Sequence, residues 1–173
     1  ANKQSTINMT GGEISGNKAS EGGAVEVLDA NCTFNLSGGK ITNNSSTGDG
    51  GAIYLNQETS VLNMTGGEIS SNTATGNGGG IYINPSNNGQ LKLSGTPIVT
   101  GNTVSGKANN VYLPSGKTLT ISGTMSSGAS VGVKTANTNY PVVFSNAYGQ
   151  NYETLFFADD TANAHVEYND DQK

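Results

Sequence analysis

A chain of 173 residues and 17.6 kDa holds one domain of ordinary size and leaves little room for a second core. Only 12% of residues are charged, none is Arg and the net charge is −5, which lacks the cation density that nucleic-acid binding requires and falls short of the charge of a typical disordered segment. No apolar run approaches the ~20 residues of a membrane helix, no basic-plus-apolar leader opens the chain, and the Gly residues do not follow the collagen period; direct membrane insertion and a triple helix are therefore excluded.

Cutting the chain at its Gly pairs exposes an internal repeat: MTGGEISGN at 9–17, LSGGKITNN at 36–44, MTGGEISSN at 64–72 and a looser LSGTPIVTGN at 93–102, with starts 27, 28 and 29 residues apart. A second motif follows in step, GGAVEV at 22–27, GGAIYL at 50–55, GGGIYI at 78–83 and ANNVYL at 108–113. Apolar residues alternate with polar ones in short runs bounded by Gly, Asn, Ser and Thr, which is strand periodicity, and no segment carries a helical stripe. Three short strands per repeat fit this length; a propeller blade needs ~40 residues or more.

Stacking such coils at the ~4.8 Å strand spacing generates uniform columns. The first strand supplies Ile7, Phe34, Leu62, Leu91 and Leu119, then Met9, Leu36, Met64, Leu93 and Ile121; the second supplies Ile14, Ile41, Ile69 and Val99, or Ile98 if the insertion lies later. The third supplies Val25, Ile53, Ile81, Val111 and Val131, then Val27, Leu55, Ile83, Leu113 and Val133. All point inward by parity, and no coil buries its face alone. Parallel crossovers are right-handed in nearly all cases. The sequence thus predicts an all-β fold, a right-handed parallel β-helix of about five or six coils over 1–137, with 138–173 as an aromatic, acidic capping segment of the same domain.

Asn17, Asn44, Asn72 and Asn102 follow the second strand and form a structural ladder, for which Asn offers tolerance of left-handed backbone at a sharp corner and side-chain amides that bond up the column. Gly pairs serve the other corners. Cys32, the single cysteine, excludes an internal disulfide or a multi-thiolate metal site and shares the parity of Phe34 and Leu36, so it reads as a small buried hydrophobe.

The element Ile69-Ser70-Ser71-Asn72 followed by Gly79-Gly80-Ile81-Tyr82 resembles the repeats of chlamydial polymorphic membrane proteins, and is similar to the ISGNTA and GGGIY repeats of large surface proteins in Gram-positive gut bacteria. The resemblance spans residues 5 to about 113, with Ile where the chlamydial form usually has Phe. It implies an extracellular or cell-surface bacterial β-helix used for adhesion or display, and brings no catalytic residues. The chain opens at Ala1 directly into the repeat, which reads as a processed fragment whose neighbouring domains are partners.

Tyr54, Tyr82 and Tyr112 form an outward aromatic column, with Glu26 in the first coil and Gly132 in the fifth. They are the candidate ligand-binding residues, for a glycan or a host surface protein; the plainer reading is a stacking ladder that protects the sheet face. Asn8, Asn35, Asn63, Lys92 and Thr120, beside Thr10, Ser37, Thr65, Ser94 and Ser122, form polar columns read as solvated sheet, since Lys92 interrupts the uniform Thr array that ice binding favours. Glu13, Lys40 and Glu68 alternate in charge up one outward column, a register device rather than a catalytic pair.

His165 lies in Ala164-His165-Val166-Glu167-Tyr168 without a visible triad. Asp159-Asp160 and Asp170-Asp171 are read as a solvated end, with Ca²⁺ binding as the other reading. No cofactor, metal or catalytic residue is expected. The function expected is non-catalytic adhesion or ligand display, against a purely structural spacer and, third, a fragment of a polysaccharide-degrading enzyme.

Overall fold

The computed structural model describes residues 4–136, 144–145 and 152–159. These form a right-handed parallel β-solenoid of about five turns. The first coil comprises Thr6–Ser15, Lys18–Ala19 and Val25–Val27, and the second Thr33–Thr42, Ser45–Ser46 and Ile53–Leu55. In the third, the long strand divides into Val61–Met64 and Glu68–Ser70, followed by Thr73–Ala74 and Ile81–Ile83. The fourth has Gln90–Gly95, Ile98–Thr100, Thr103–Val104 and Val111–Leu113, and the chain then continues through Leu119–Met125 and Ser130–Thr135.

Corresponding strands pair in parallel, and the pairing reproduces the apolar columns: Ile7 with Phe34, Met9 with Leu36, Phe34 with Leu62, Leu36 with Met64, Leu93 with both Met64 and Ile121, and Ile69 with Ile41 and Val99. Phe34, Leu36, Ile41, Ile53, Leu62, Met64, Ile69, Ile81 and Leu93 are fully enclosed. The terminal coil is the exception, because nothing described covers its outer side: Ile7 is 58% exposed although its parity is inward. Cys32 is half-buried, packed against the core rather than sealed inside it.

The fifth turn departs from the expected register. Val131 pairs with Val99, Val133 with Val111, Tyr112 with Lys134 and Leu113 with Thr135. One strand, Ser130–Thr135, thus serves both the second- and third-strand faces, and its residues sit two positions from where the sequence columns put them. Lys134, not Gly132, closes the tyrosine column. A smaller slip occurs in the first coil, where Thr10 pairs with Gly38 instead of Ser37.

The left-handed corners also differ from expectation. Positive φ falls on the residue before each ladder asparagine, Gly16 (71°), Asn43 (57°), Ser71 (58°) and Gly101 (67°), and on none of the ladder asparagines. The Gly pair preceding the third strand divides its labour. Gly50 has φ of 64°, whereas a Cβ on Gly51 would lie 2.2 Å from the Gly79 carbonyl oxygen, so the second glycine permits coils to approach closely.

A second small sheet, made of the two-residue strands at Lys18–Ala19, Ser45–Ser46, Thr73–Ala74 and Thr103–Val104, lines the corner after the ladder. It ends in an antiparallel hairpin with Lys107–Ala108, through Ser105 and Gly106, both left-handed. Of the segment expected to cap the solenoid, Phe156–Ala158 pairs with Ser130–Thr135 and Phe144–Ser145 with Leu119–Met125. His165, Asp160, Asp170 and Asp171 lie outside the described residues.

Candidate functional site

The third strands present Glu26, Tyr54, Tyr82, Tyr112 and Lys134 in one outward column, each paired in register with the next. The tyrosine rings stack: Tyr54 and Tyr82 have centroids 5.3 Å apart at 14°, Tyr82 and Tyr112 5.5 Å apart at 16°. Both faces of Tyr82 and one face each of Tyr54 and Tyr112 are therefore spent on one another, and between its ends the strip offers mainly ring edges and hydroxyl groups. The expectation of three solvent-facing rings needs correction at Tyr82, which is only 8% exposed; Tyr54 and Tyr112 are half-buried.

Electrostatics follow from that packing. Burial, then the negative charge of Asp49, pushes the Tyr82 hydroxyl well above the ordinary tyrosine range. Tyr54 is raised in the same direction by burial and by Glu21, against a bond its hydroxyl accepts from Asn84 Nδ2 at 3.2 Å. Glu26 is raised by burial and by Glu21. Glu21 in turn accepts a bond from the Asp49 backbone N–H at 2.5 Å, and Asp49 Oδ1 accepts from the Asn77 N–H at 2.6 Å. The first-coil end of the strip is acidic and its far end carries an amine.

Asn17, Asn44, Asn72 and Asn102 form a directed ladder at the corner after the second strand. Each Nδ2 donates to the next Oδ1, at 3.0, 3.0 and 2.8 Å. Each Oδ1 also receives the backbone N–H of the asparagine before it, as Asn44 N to Asn72 Oδ1 at 2.9 Å shows. Two rungs were not visible in the repeat: Asn102 Nδ2 donates to Asn110 Oδ1 at 2.9 Å, and Asn110 Nδ2 to Asp159 Oδ1 at 2.7 Å. A carboxylate accepts and does not donate, so Asp159 ends the chain of donors. The signal for Asn110 was ANNVYL, where Asn stands at the position of Ala24, Ala52 and Gly80.

The outward face of the first strands carries a second amide ladder, running the opposite way: Asn63 Nδ2 donates to Asn35 Oδ1 at 2.8 Å and Asn35 Nδ2 to Asn8 Oδ1 at 2.7 Å. Glu13, Lys40 and Glu68 are registered neighbours. Lys40 pairs with Glu68 at 3.0 Å, while Glu13 accepts from the Thr42 hydroxyl at 2.9 Å. The bonds from Ser70 and Lys40 hold the Glu68 carboxyl below its ordinary range. Among the described residues, no three His, Cys, Asp or Glu side chains converge into a metal-holding group, and no helix is long and apolar enough to cross a membrane.

This geometry defines a class of protein, a repeat-built parallel β-solenoid with one corner amide per coil. The family model of the Chlamydia polymorphic membrane protein repeat matches residues 40–56 and 67–84. Each matched stretch runs from the second strand through the ladder asparagine to the outward tyrosine, so the chain carries repeats similar to that family's. No curated protein and no solved structure matches the chain.

Proposed function

We propose that this chain is a non-catalytic module of a bacterial surface protein that displays a flat, rigid sheet face to a protein partner. The repeat similarity supports a surface-protein module. The observation that carries the proposal is the outward column itself: three stacked rings held in register, with an acid at one end and an amine at the other. Ring edges, hydroxyls and terminal charges of opposite sign suit protein contact, where tyrosine is enriched. Glycan recognition by ring stacking is less well served, because four of the six ring faces already cover each other.

A non-catalytic role is supported by Glu68, the outer-face carboxylate paired with Lys40. Glu68 is held ionised by Ser70 and Lys40, the wrong direction for a general acid. The spacer reading is favoured by one observation, the enclosure of Tyr82, since a ladder that serves only to cover the sheet would look the same there.

The experiment is binding of the labelled chain to epithelial cells, either untreated, protease-treated or glycosidase-treated. Display to a protein predicts loss of binding after protease, and weakening by Tyr112→Ala or Glu26→Lys with little change in melting temperature. Binding lost only after glycosidase returns the strip to the glycan reading, and no binding to any of the cells leaves the spacer ahead.

A further inference from the structure

The loops joining each third strand to the next first strand differ in length, and the difference opens a cleft. Among the described loops of this kind, 84–89 is the longest, with six residues. Lys92 pairs with Thr120, which puts Thr118 opposite Gln90 and leaves only four residues, 114–117, to make the next turn. The short loop sits beneath the long one, and Lys117 ties them together by donating to the Asn87 carbonyl at 2.6 Å and to Asn88 Oδ1 at 3.3 Å. The resulting cleft is a shallow surface hollow with a volume of about 530 Å³, lined by the loops and by Gln90 and Thr120 of the first strands.

Its chemistry is uniform. Thr59, Asn88, Gln90, Thr118 and Thr120 bring hydroxyl and amide groups, Lys117 brings an ammonium, and among the described residues no carboxylate and no aromatic ring lines it. Lys92, two residues along the strand from Gln90, adds a second amine in the adjoining outward column. An ammonium has three donors, and the two bonds to loop 84–89 leave one. Lys117 and Lys92 place two amines here in a chain of net charge −5, with Glu58 adjoining the lining residue Thr59. A ligand that fits must be rich in hydroxyl groups and carry negative charge. A neutral sugar would find neither an apolar face to stack on nor use for the amines, and a hydrophobic ligand would strand the polar lining.

We propose that this cleft is a binding subsite for an acidic saccharide, a uronate-bearing sugar whose carboxylate meets Lys117 and whose hydroxyls bond to Gln90 and Thr118. The site is independent of the tyrosine strip and stands whether or not that strip contacts a protein.

The test is a titration of the isotope-labelled chain with trigalacturonate, followed by amide shifts. Methyl-esterified trigalacturonate and sodium acetate serve as the neutral and the sugar-free arms. Saturable shifts confined to residues 88–90 and 116–120, absent with the ester and with acetate, support the site. Lys117→Gln should weaken binding by about tenfold, the loss of one charge-assisted bond. Because that change also loosens the two loops, the double variant Gln90→Leu with Thr118→Val, which leaves the Lys117 bonds in place, should weaken it to a similar degree. Absence of shifts, equal binding of the ester, equal response to acetate, or unaltered affinity in the double variant would each overturn the assignment.

Discussion

Replacing Asn72 with Ala isolates the corner ladder from every other feature of the coil. Asn72 is fully buried, and its side chain makes five contacts, three of which share the two Nδ2 hydrogens. Its Nδ2 donates to the Ile41 carbonyl at 2.9 Å, the Ser70 carbonyl at 3.0 Å and Asn102 Oδ1 at 2.8 Å, and its Oδ1 accepts from the Asn44 N–H at 2.9 Å and from Asn44 Nδ2 at 3.0 Å. The backbone contributes nothing to the effect, since left-handed strain falls on Ser71 and Ala is at ease in the conformation of residue 72. At roughly 1 kcal/mol net per bond, and with the Asn44 backbone N–H left without an acceptor in a dry interior while Asn44 Nδ2 keeps the Ile14 and Thr42 carbonyls, the loss is about 3 to 5 kcal/mol. Asn17→Ala removes the same ladder chemistry at an exposed rung where water substitutes, and should cost about 1 kcal/mol or less. Equilibrium urea unfolding followed by circular dichroism measures both. If Asn72→Ala loses no more stability than Asn17→Ala, the ladder does not hold the coils together and the reasoning fails.

Ser71→Gly should stabilise the chain by up to about 1 kcal/mol, because relief of ~1 to 2 kcal/mol of left-handed strain outweighs the extra unfolded-state freedom of Gly; a lowered melting temperature would contradict this. The raised hydroxyl of Tyr82 means that its contribution to stability is fully present below the unfolded-state value of about 10 and is lost as pH rises beyond it. Absorbance titration should show a tyrosine that ionises only as the fold is lost, a signature that Tyr82→Phe removes. Ile81→Asp buries an unpaired carboxylate in a fully enclosed position and should unfold the central coils, at several kcal/mol; a melt like the parent's would show that the inward parity is wrong.

Most of the architecture was legible because alternation and spacing agree. Phe34, Leu62 and Leu91 recur in a strand period, and a slip by one residue would turn the whole apolar set outward. A slip by two residues preserves parity, so alternation alone leaves the register of the fifth turn open. Val131 and Val133 point inward under either register, so nothing in the alternation distinguished Gly132 from Lys134 as the neighbour of Tyr112. The left-handed corner was assigned to the ladder asparagine because Asn recurs there, whereas the strained position before it varies as Gly, Asn, Ser and Gly; the two glycines were the available signal. The two-residue strands of the small sheet are too short to show any period. For the tyrosines, the column could be read from spacing, but the enclosure of Tyr82 depends on how closely the rings lie over one another. The cleft beside Lys117 depends on a difference in loop length between two coils, which the repeat pattern averages away.

Register in the last regular coil carries the account, since it decides what the outward strip is and where it ends. Nuclear Overhauser contacts between backbone protons of paired strands read it directly. The account predicts contacts linking Glu26 to Tyr54, Tyr54 to Tyr82, Tyr82 to Tyr112 and Tyr112 to Lys134. Contacts from Tyr112 to Gly132, or the absence of contacts between Tyr54 and Tyr82, would contradict it.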